Sequence, residues 1–193
     1  MKKRYKWMFA IVFVVGILIC IRSCMVKEES DLTVAYIGYD FVNRSAFEEN
    51  IYAFTQGCED ITGDGKFNCD IMEISFNDEL GTADKSNANQ KLANAVGMGK
   101  ARLYFISEDY VRRNTEAGVF ADISSLGEGV KNKKGETIAI SVHANKKLLS
   151  LGINPDKNMY LAIRIVSEMD TATDKNIQKK DDAAWIIAKN ILS

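Results

Sequence analysis

Apolar runs typical of buried β-strands alternate along this chain with apolar stripes typical of helices. The run LTVAYIGY, residues 32–39, is nearly continuous, as expected of a strand that is buried on both faces of a sheet. After it, one buried helical face is predicted by apolar residues that recur at steps of four, three and four, namely Phe47, Ile51, Phe54 and Cys58. The alternation predicts a three-layer α/β domain in which helices cover both faces of a mostly parallel, five-stranded sheet.

The remaining predicted elements follow the same alternation. Further strands are predicted at 67–76, 101–106, 136–142 and 158–166. Helices are predicted at 83–99, after Ser107, at 145–152 and after a polar stretch at 167–182. Ser45 and Glu48 are predicted to form a capping box at the start of the first helix, and Ser107 is predicted to cap the third.

The first 26 residues have the composition of a membrane-targeting segment. Residues 7–21 carry no charge, and basic residues precede them. A membrane helix needs about 20 apolar residues, so this run lies between a signal peptide and a short span in length. Basic residues before the run and acidic residues after it predict a cytoplasmic N-terminus and a domain outside the cytoplasm.

Three alternatives remain for this segment. An uncleaved anchor is favoured because no A-x-A cleavage site follows the apolar run. A lipoprotein is the second alternative, because Cys24 in IRSC follows a small residue, although Arg22 fits a lipidation motif badly. A cleaved signal is the third. In each case the predicted organisation is a membrane segment at 1–26, a short linker at 27–31 and an extracytoplasmic α/β domain at 32–193.

The charge of the outer domain argues against nucleic acid as a partner. Five of the 25 basic residues precede Lys27 and none of the 26 acidic residues does, so the rest of the chain has a net charge of about −6. Nucleic acids and anionic lipid surfaces attract basic proteins. The predicted membrane contact is therefore the apolar run at 7–21.

Catalytic motifs are missing from the sequence. The nucleophile pattern G-x-S-x-G does not occur, and His143 is the one histidine around which a triad would have to be built. Neither a Cys-x-x-Cys pair nor paired histidines are present to bind zinc. The sequence therefore predicts a non-catalytic domain with no cofactor and no metal.

The stretch CEDITGDGKFNC, residues 58–69, partly matches a calcium-binding loop. Asp60, Asp64 and Gly65 occupy the first, fifth and sixth positions of an EF-hand loop, but Ile71 stands at the twelfth, where a bidentate carboxylate is required. The stretch is therefore predicted to be a turn between a helix and a strand. Its flanking cysteines, Cys58 and Cys69, are predicted either to form a disulfide or to be two separately buried thiols.

Several segments resemble one family. The stretch KARLYFISEDYVRRNTEAGVFADISSL, residues 100–126, resembles extracellular solute-binding proteins of the sugar-binding, maltose-binding-like type, and so do LTVAYIGYD, ITGDGKFNCDIMEISF and NKKLLSLGINPDKNMYLAIRI. The likeness covers most of residues 31–166. Family members have two lobes around a hinge, and this chain is long enough for one. The resemblance therefore implies a single lobe of a type II periplasmic-binding fold, and a permease partner.

A ligand site is predicted where the parallel strands end. Ligands of open α/β sheets bind beyond the carboxyl ends of the strands. The predicted site residues there are Tyr39, Asp40, Phe41, Asn77, Asp78, Ser107, Glu108 and Asp109. Aromatic rings with carboxylates and amides suit a sugar or a small polar solute, although the same residues are also typical of ordinary loop caps.

Two functional hypotheses follow. The first is a membrane-tethered, extracytoplasmic, solute-binding-like domain without catalytic activity. The second is a protein–protein interaction or assembly module of the bacterial cell envelope. A cleft lined by Tyr39 and Phe41 would favour the first hypothesis, and a flat strand-end surface with a contiguous apolar patch elsewhere would favour the second.

Overall fold

The computed structural model of the chain describes residues 30–39, 42–76, 82–97, 99–143, 145–153 and 158–193. The strands within these residues are β1 (Leu32–Gly38), β2 (Cys69–Ser75), β3 (Leu103–Ser107), β4 (Val130–Lys131), β5 (Thr137–Ser141) and β6 (Met159–Ile163). The helices are α1 (Arg44–Asn50), α2 (Thr82–Gly97), α3 (Glu108–Arg113), α4 (Lys146–Ser150), α5 (Glu168–Thr173) and α6 (Ile177–Leu192). Short 3₁₀ turns follow α1, at Ile51–Phe54, and precede β4, at Ser124–Leu126.

The described strands form one mixed sheet in the order β2-β1-β3-β6-β5-β4. β1 pairs in parallel with β2 and β3, whereas β6 runs antiparallel to both β3 and β5, and β4 runs antiparallel to β5. The α/β class is confirmed. The prediction of a mostly parallel, five-stranded sheet is wrong, because the sheet has a sixth strand and β6 has the opposite direction.

The connection between β5 and β6 contains one short helix in its described part. That helix, α4, has five residues and rises by only about 7–8 Å. The whole connection, residues 142–158, is long enough for a parallel crossover, so its length does not decide the direction of β6. The antiparallel pairing with β5 places the start of β6 at the edge where β5 ends.

Helices pack on both faces of the sheet, as predicted. On one face, α1, α4 and α6 bury Phe47, Leu148 and Ile187 in a cluster that also contains Tyr36 and Phe105 from the sheet. On the other face, α2 and α3 pack against a second cluster, whose members include Ala35, Tyr104 and Ile138. Each large apolar side chain that is buried in this way contributes roughly 1.5–3 kcal/mol to folding.

The first helix begins and ends earlier than the sequence predicts. Asn43 caps α1 by accepting a hydrogen bond from the Ala46 amide, so the predicted capping box of Ser45 and Glu48 is wrong. Glu48 instead lies 3.6 Å from Arg44, its neighbour at i−4. Because the helical conformation ends with the 3₁₀ turn, Cys58 lies in the connection that follows and not on the helix.

Four charged side chains, which we call the arginine–aspartate network, join the sheet to the C-terminal helices: Arg102, Arg164 and Asp170 are buried, and Asp181 is partly buried. Arg102, just before β3, donates hydrogen bonds to the Asp181 carboxylate at 2.5 Å and to the main-chain oxygen of Arg164 at 2.6 Å. Arg164, just after β6, donates to Asp170 on α5. The network therefore fixes α5 and α6 to the edge of the sheet at which β3 starts and β6 ends.

Gly99 lies against this network, and its replacement is expected to destabilise the fold. A Cβ atom at Gly99 would lie 2.2 Å from Asp170 Oδ1, and φ is +66° there. Gly135 has a similar φ of +83°, but its Cβ would meet no described atom within 4 Å. Both Gly→Ala substitutions are expected to cost about 1–2 kcal/mol for the left-handed backbone, and Gly99→Ala about 1–3 kcal/mol more for the clash. Urea unfolding of the two variants measures the difference, and equal losses would contradict the packing at Gly99.

No helix of the described residues is long and apolar enough to cross a membrane. Residues 1–29 lie outside the described residues, so the membrane segment at 1–26 and lipidation at Cys24 stay predictions.

Candidate functional site

A cleft of about 180 Å³ opens at the edge of the sheet where β1 and β3 end and β6 begins. It is lined by Tyr36, Tyr39, Ser107, Glu108, Asp109, Asn158 and Met159. The cleft lies at the opposite edge of the sheet from the arginine–aspartate network.

The pairing of three neighbouring strands brings these residues together. β1 and β3 are parallel and adjacent, with Ile37 opposite Ile106, so the chain leaves both strands at the same edge. β6 is antiparallel to β3, with Met159 opposite Ser107, so β6 starts at that edge. The C-terminal ends of β1 and β3 and the N-terminal end of β6 therefore meet at the cleft.

Tyr36 lines the cleft from a buried position, and its ring lies against Gly38. The Tyr36 side chain is 2 % exposed, and its hydroxyl oxygen would lie 2.7 Å from a Cβ atom at Gly38. The absence of a side chain at Gly38 therefore leaves room for the phenol ring of Tyr36 against the backbone. Tyr39, one residue after β1, is 43 % exposed and forms the outer wall.

Hydrogen bonds fix the polar side chains of the cleft. The Tyr39 hydroxyl donates to Asp109 Oδ2 at 3.0 Å, and Asn158 Nδ2 donates to Glu108 Oε2 at 2.8 Å. The other Glu108 oxygen accepts a hydrogen bond from Arg112 Nε at 2.6 Å. Glu108 is thus held between α3 and β6, and Asp109 is held beside the Tyr39 ring.

The structure brings together four of the predicted site residues: Tyr39, Ser107, Glu108 and Asp109. The other four, Asp40, Phe41, Asn77 and Asp78, lie outside the described residues. Ser107 occupies the N-cap position of α3 as predicted, but its side chain makes no capping hydrogen bond.

Sequence reasoning missed Tyr36, Asn158 and Met159 as lining residues. Tyr36 lies inside a predicted strand, where a side chain is not expected to reach the strand end. The one sequence signal that its ring does so is Gly38, which has no side chain to block the ring. Asn158 and Met159 were missed because a parallel β6 would begin at the opposite edge of the sheet. The antiparallel direction of β6 moves both residues to the cleft.

The loop between Cys58 and Cys69 directs its carboxylates towards its own backbone amides. Asp60 Oδ2 accepts from the Gly65 amide at 2.7 Å and Oδ1 from the Gly63 amide at 2.6 Å, and these hydrogen bonds lower the pKa of Asp60. Asp31, which is fully buried, accepts from the amides of Ile61, Thr62 and Asn68. The described residues contain no group of three or more His, Cys, Asp or Glu side chains placed to hold a metal ion.

Both cysteines of this loop are free thiols in the structure. Cys69 lies in the second strand, as predicted, and is the first residue of β2; Cys58 Sγ lies 3.9 Å from the Ala183 main-chain oxygen on α6. Burial raises the pKa of Cys58 to about 11 and raises that of Cys69 as well. The structure thus has the arrangement of two separate thiols, which was one of the two alternatives for this pair.

The two thiols are expected to react slowly in the native protein. With a pKa raised from 9.0 to about 11, Cys58 has about a hundredfold less thiolate at neutral pH, and the thiolate is the reactive form. Titration with an aromatic disulfide reagent before and after unfolding in guanidinium measures this protection. Failure of these cysteines to react after unfolding, unless a reductant is added, would show a disulfide instead.

Comparison of the chain with protein-family models, with curated proteins and with solved structures returned no match. The resemblance of residues 31–166 to solute-binding proteins therefore stays a prediction.

Proposed function

We propose that residues 32–193 form a non-catalytic, extracytoplasmic domain, tethered to the membrane by residues 7–21, that binds a small polar solute in the strand-end cleft. The observation that carries the proposal is the cleft itself. It lies where ligands of α/β sheets bind, and it combines two phenol rings with two carboxylates and an amide.

The chemistry of the lining supports a polar ligand. Tyrosine rings offer flat apolar surface, while carboxylate and amide oxygens accept hydrogen bonds from hydroxyl or amino groups. The interaction of Tyr39 with Asp109 and that of Asn158 with Glu108 hold these groups in place before a ligand binds. Such preorganisation lowers the entropic cost of binding.

The affinity of a single lobe is expected to be low. Drug-sized ligands in protein pockets usually have about 70–90 % of their surface buried, and the described lining of this cleft comes from one sheet only. Dissociation constants in roughly the millimolar range are therefore expected. A permease partner is implied by the family resemblance alone and belongs to the same proposal.

Replacement of Tyr39 by alanine tests the proposal. The full-length chain in a nonionic detergent is titrated with a panel of sugars, amino acids and amines, and binding is followed by NMR chemical-shift changes. Tyr39→Ala is expected to weaken the best ligand by about tenfold, because it removes an aromatic wall of the cleft.

Tyr52→Ala is the matched control, because Tyr52 is a similarly exposed tyrosine, at 48 %, outside the lining of the cleft. Equal losses in the two variants, or the absence of binding by every member of the panel, would reject the proposal.

An interaction or assembly module of the cell envelope is the second candidate. The observation in its favour is the exposure of two large apolar side chains, Leu149 on α4 at 60 % and Met169 on α5 at 69 %. Extension of the sheet at β2 is less favoured, because Arg44 already donates a hydrogen bond to the Ile71 main-chain oxygen on that strand. Loss of a co-purifying envelope protein on Leu149→Ser substitution would support this candidate over the first.

A further inference from the structure

We infer that the strand-end cleft selects small cationic amines over neutral solutes such as sugars. The inference rests on the proposed solute binding and specifies its ligand class. It is carried by the charges, the hydrogen bonds and the rings of the lining residues.

The charge of the cleft is negative. Its described lining contains two carboxylates, Glu108 and Asp109, and neither lysine nor arginine. Arg112 pairs with Glu108 from outside the lining and compensates that charge. Asp109 forms no salt bridge with a described residue and feels Arg112 only at longer range, so an ammonium group in the cleft would be its closest cation.

Most of the cleft atoms that have no hydrogen bond to a described residue are acceptors. Both oxygens of Glu108 are occupied, one by Arg112 and one by Asn158. Asp109 accepts from Tyr39 through Oδ2, and its Oδ1 has no hydrogen bond within the described residues. The Asn158 side-chain oxygen likewise has none there. An ammonium group brings three donors and no acceptor, and it matches these oxygens better than a hydroxyl group, which also needs a donor.

Charge also strengthens each contact. A hydrogen bond between an ammonium and a carboxylate is roughly twice as strong as one between neutral groups. The phenol ring of Tyr39, which is 43 % exposed, attracts a cation through its negative face, whereas Tyr36 and Met159, at 2 % and 1 % exposure, present little surface to a ligand. These features favour a short alkyl chain with one ammonium group.

The charge of the whole domain acts in the same direction. Residues from Lys27 onward carry a net charge of about −6, which raises the local concentration of cations at the surface and repels anions. Binding of an amine is therefore expected to weaken as salt is added, whereas binding of a neutral solute is expected to change little.

The test compares a charged probe with an isosteric neutral probe and with a neutral sugar. The ¹⁵N-labelled full-length chain in a nonionic detergent is titrated at neutral pH with n-butylamine, 1-butanol and glucose. Butylamine is expected to shift the amide signals of Ser107, Glu108, Asp109 and Asn158 and to bind about tenfold or more tightly than butanol.

Two variants locate the effect. Asp109→Asn retains an oxygen for the Tyr39 hydroxyl but removes the charge, and it is expected to weaken butylamine by about tenfold. Asp182→Asn removes one charge from an exposed position on α6, where Asp182 accepts a hydrogen bond from Gln178, and it is expected to leave the affinity unchanged.

The outcomes separate the inference from the proposed function. Shifts of these amides by glucose or butanol, without tighter binding of butylamine, would overturn the amine preference and leave solute binding intact. Shifts by butylamine that survive Asp109→Asn, or that spread over the acidic surface, would also overturn it. If none of the three probes shifts these amides, both solute binding at this cleft and the amine preference are wrong.

Discussion

Replacement of Asp170 by alanine is expected to lower the free energy of unfolding by about 3–5 kcal/mol, because it breaks a buried ion pair and leaves a buried charge without its partner. Asp170 and Arg164 are both almost fully buried and are hydrogen-bonded to each other. The same carboxylate accepts hydrogen bonds from the amide and the hydroxyl of Ser167. Without Asp170, the guanidinium of Arg164 keeps only main-chain oxygens as partners among the described residues.

Urea unfolding of the wild-type and variant proteins measures this loss. Asp182→Ala is the control, because Asp182 is an exposed aspartate whose hydrogen-bond partner, Gln178, lies on the same helix. The control is expected to change stability by less than about 0.5 kcal/mol. A loss below about 1 kcal/mol in Asp170→Ala would contradict the role assigned to the network.

The pH dependence of stability provides a second measurement on the same residue. Burial alone would raise the pKa of Asp170, but the hydrogen bonds from Ser167 and Arg164 outweigh it and lower the pKa below its ordinary value. A lowered pKa contributes stability that is present above the unfolded value of about 3.9 and is lost as pH falls through the folded value. Stability should therefore decrease below about pH 4, and this decrease should be smaller in Asp170→Ala.

Replacement of Asp31 by alanine is expected to cost about 2–4 kcal/mol and to release the loop between Cys58 and Cys69. The Asp31 carboxylate accepts from the Ile61 amide at 2.8 Å, the Thr62 amide at 2.7 Å and the Asn68 amide at 2.6 Å. Each partly buried amide that loses its charged acceptor lowers the free energy of unfolding by roughly 1–3 kcal/mol. Water that enters and bonds to the amide reduces this loss.

Hydrogen exchange separates this effect from a general loss of stability. The amides of Ile61, Thr62 and Asn68 are expected to exchange faster in Asp31→Ala than global unfolding explains. Asp64→Ala is the control, because the exposed Asp64 carboxylate accepts only from Lys66 and Asn68 within the loop. Equal destabilisation by the two substitutions would show that Asp31 does not hold the loop.

The first half of the sheet was predictable, because its signal is local. β1 and β2 lie within the predicted apolar runs, and β3 overlaps its run and extends one residue beyond it; β1 and β3 are buried along most of their length, which gives a strong signal. β4 has two residues, and a strand this short shows no detectable alternation of apolar and polar residues. The direction of β6 is defined by its antiparallel pairing with β3 and β5, which the apolar pattern along the chain does not express.

One helix was missed for a similar reason. Residues 167–182 were predicted to be a polar stretch, yet α5 lies within them, opened by a capping box of Ser167 and Asp170. Helix prediction relies on a stripe of apolar residues, and the buried residue of α5 is Asp170 itself. Its inward face is charged because it packs against arginines, so the hydrophobic pattern gives no signal there.

Part of the candidate site was predictable from the rule that ligands of open α/β sheets bind beyond the carboxyl ends of the strands. Tyr39, Glu108 and Asp109 were found because they directly follow strands whose direction was predicted correctly, and Ser107 because it ends one of these strands. Asn158 precedes its strand and could be placed at the site only after the antiparallel pairing of β6 was known. Gly38 leaves room for the Tyr36 ring because it has no side chain, and this packing effect has no periodic signal in the sequence.

The position of β6 within the sheet also determines when the sheet can be completed during synthesis. β6 lies between β3 and β5, yet it leaves the ribosome after both of them. In a nascent chain that ends before Met159, β1 to β3 and the hairpin of β4 and β5 are two separate parts of the sheet. The strands that later pair with β6, β3 and β5, then lack a neighbour along one side. Such late, non-local pairing slows folding and exposes strand edges to aggregation. If the domain crosses a membrane as it is made, its sheet can close only after nearly the whole chain has been translocated.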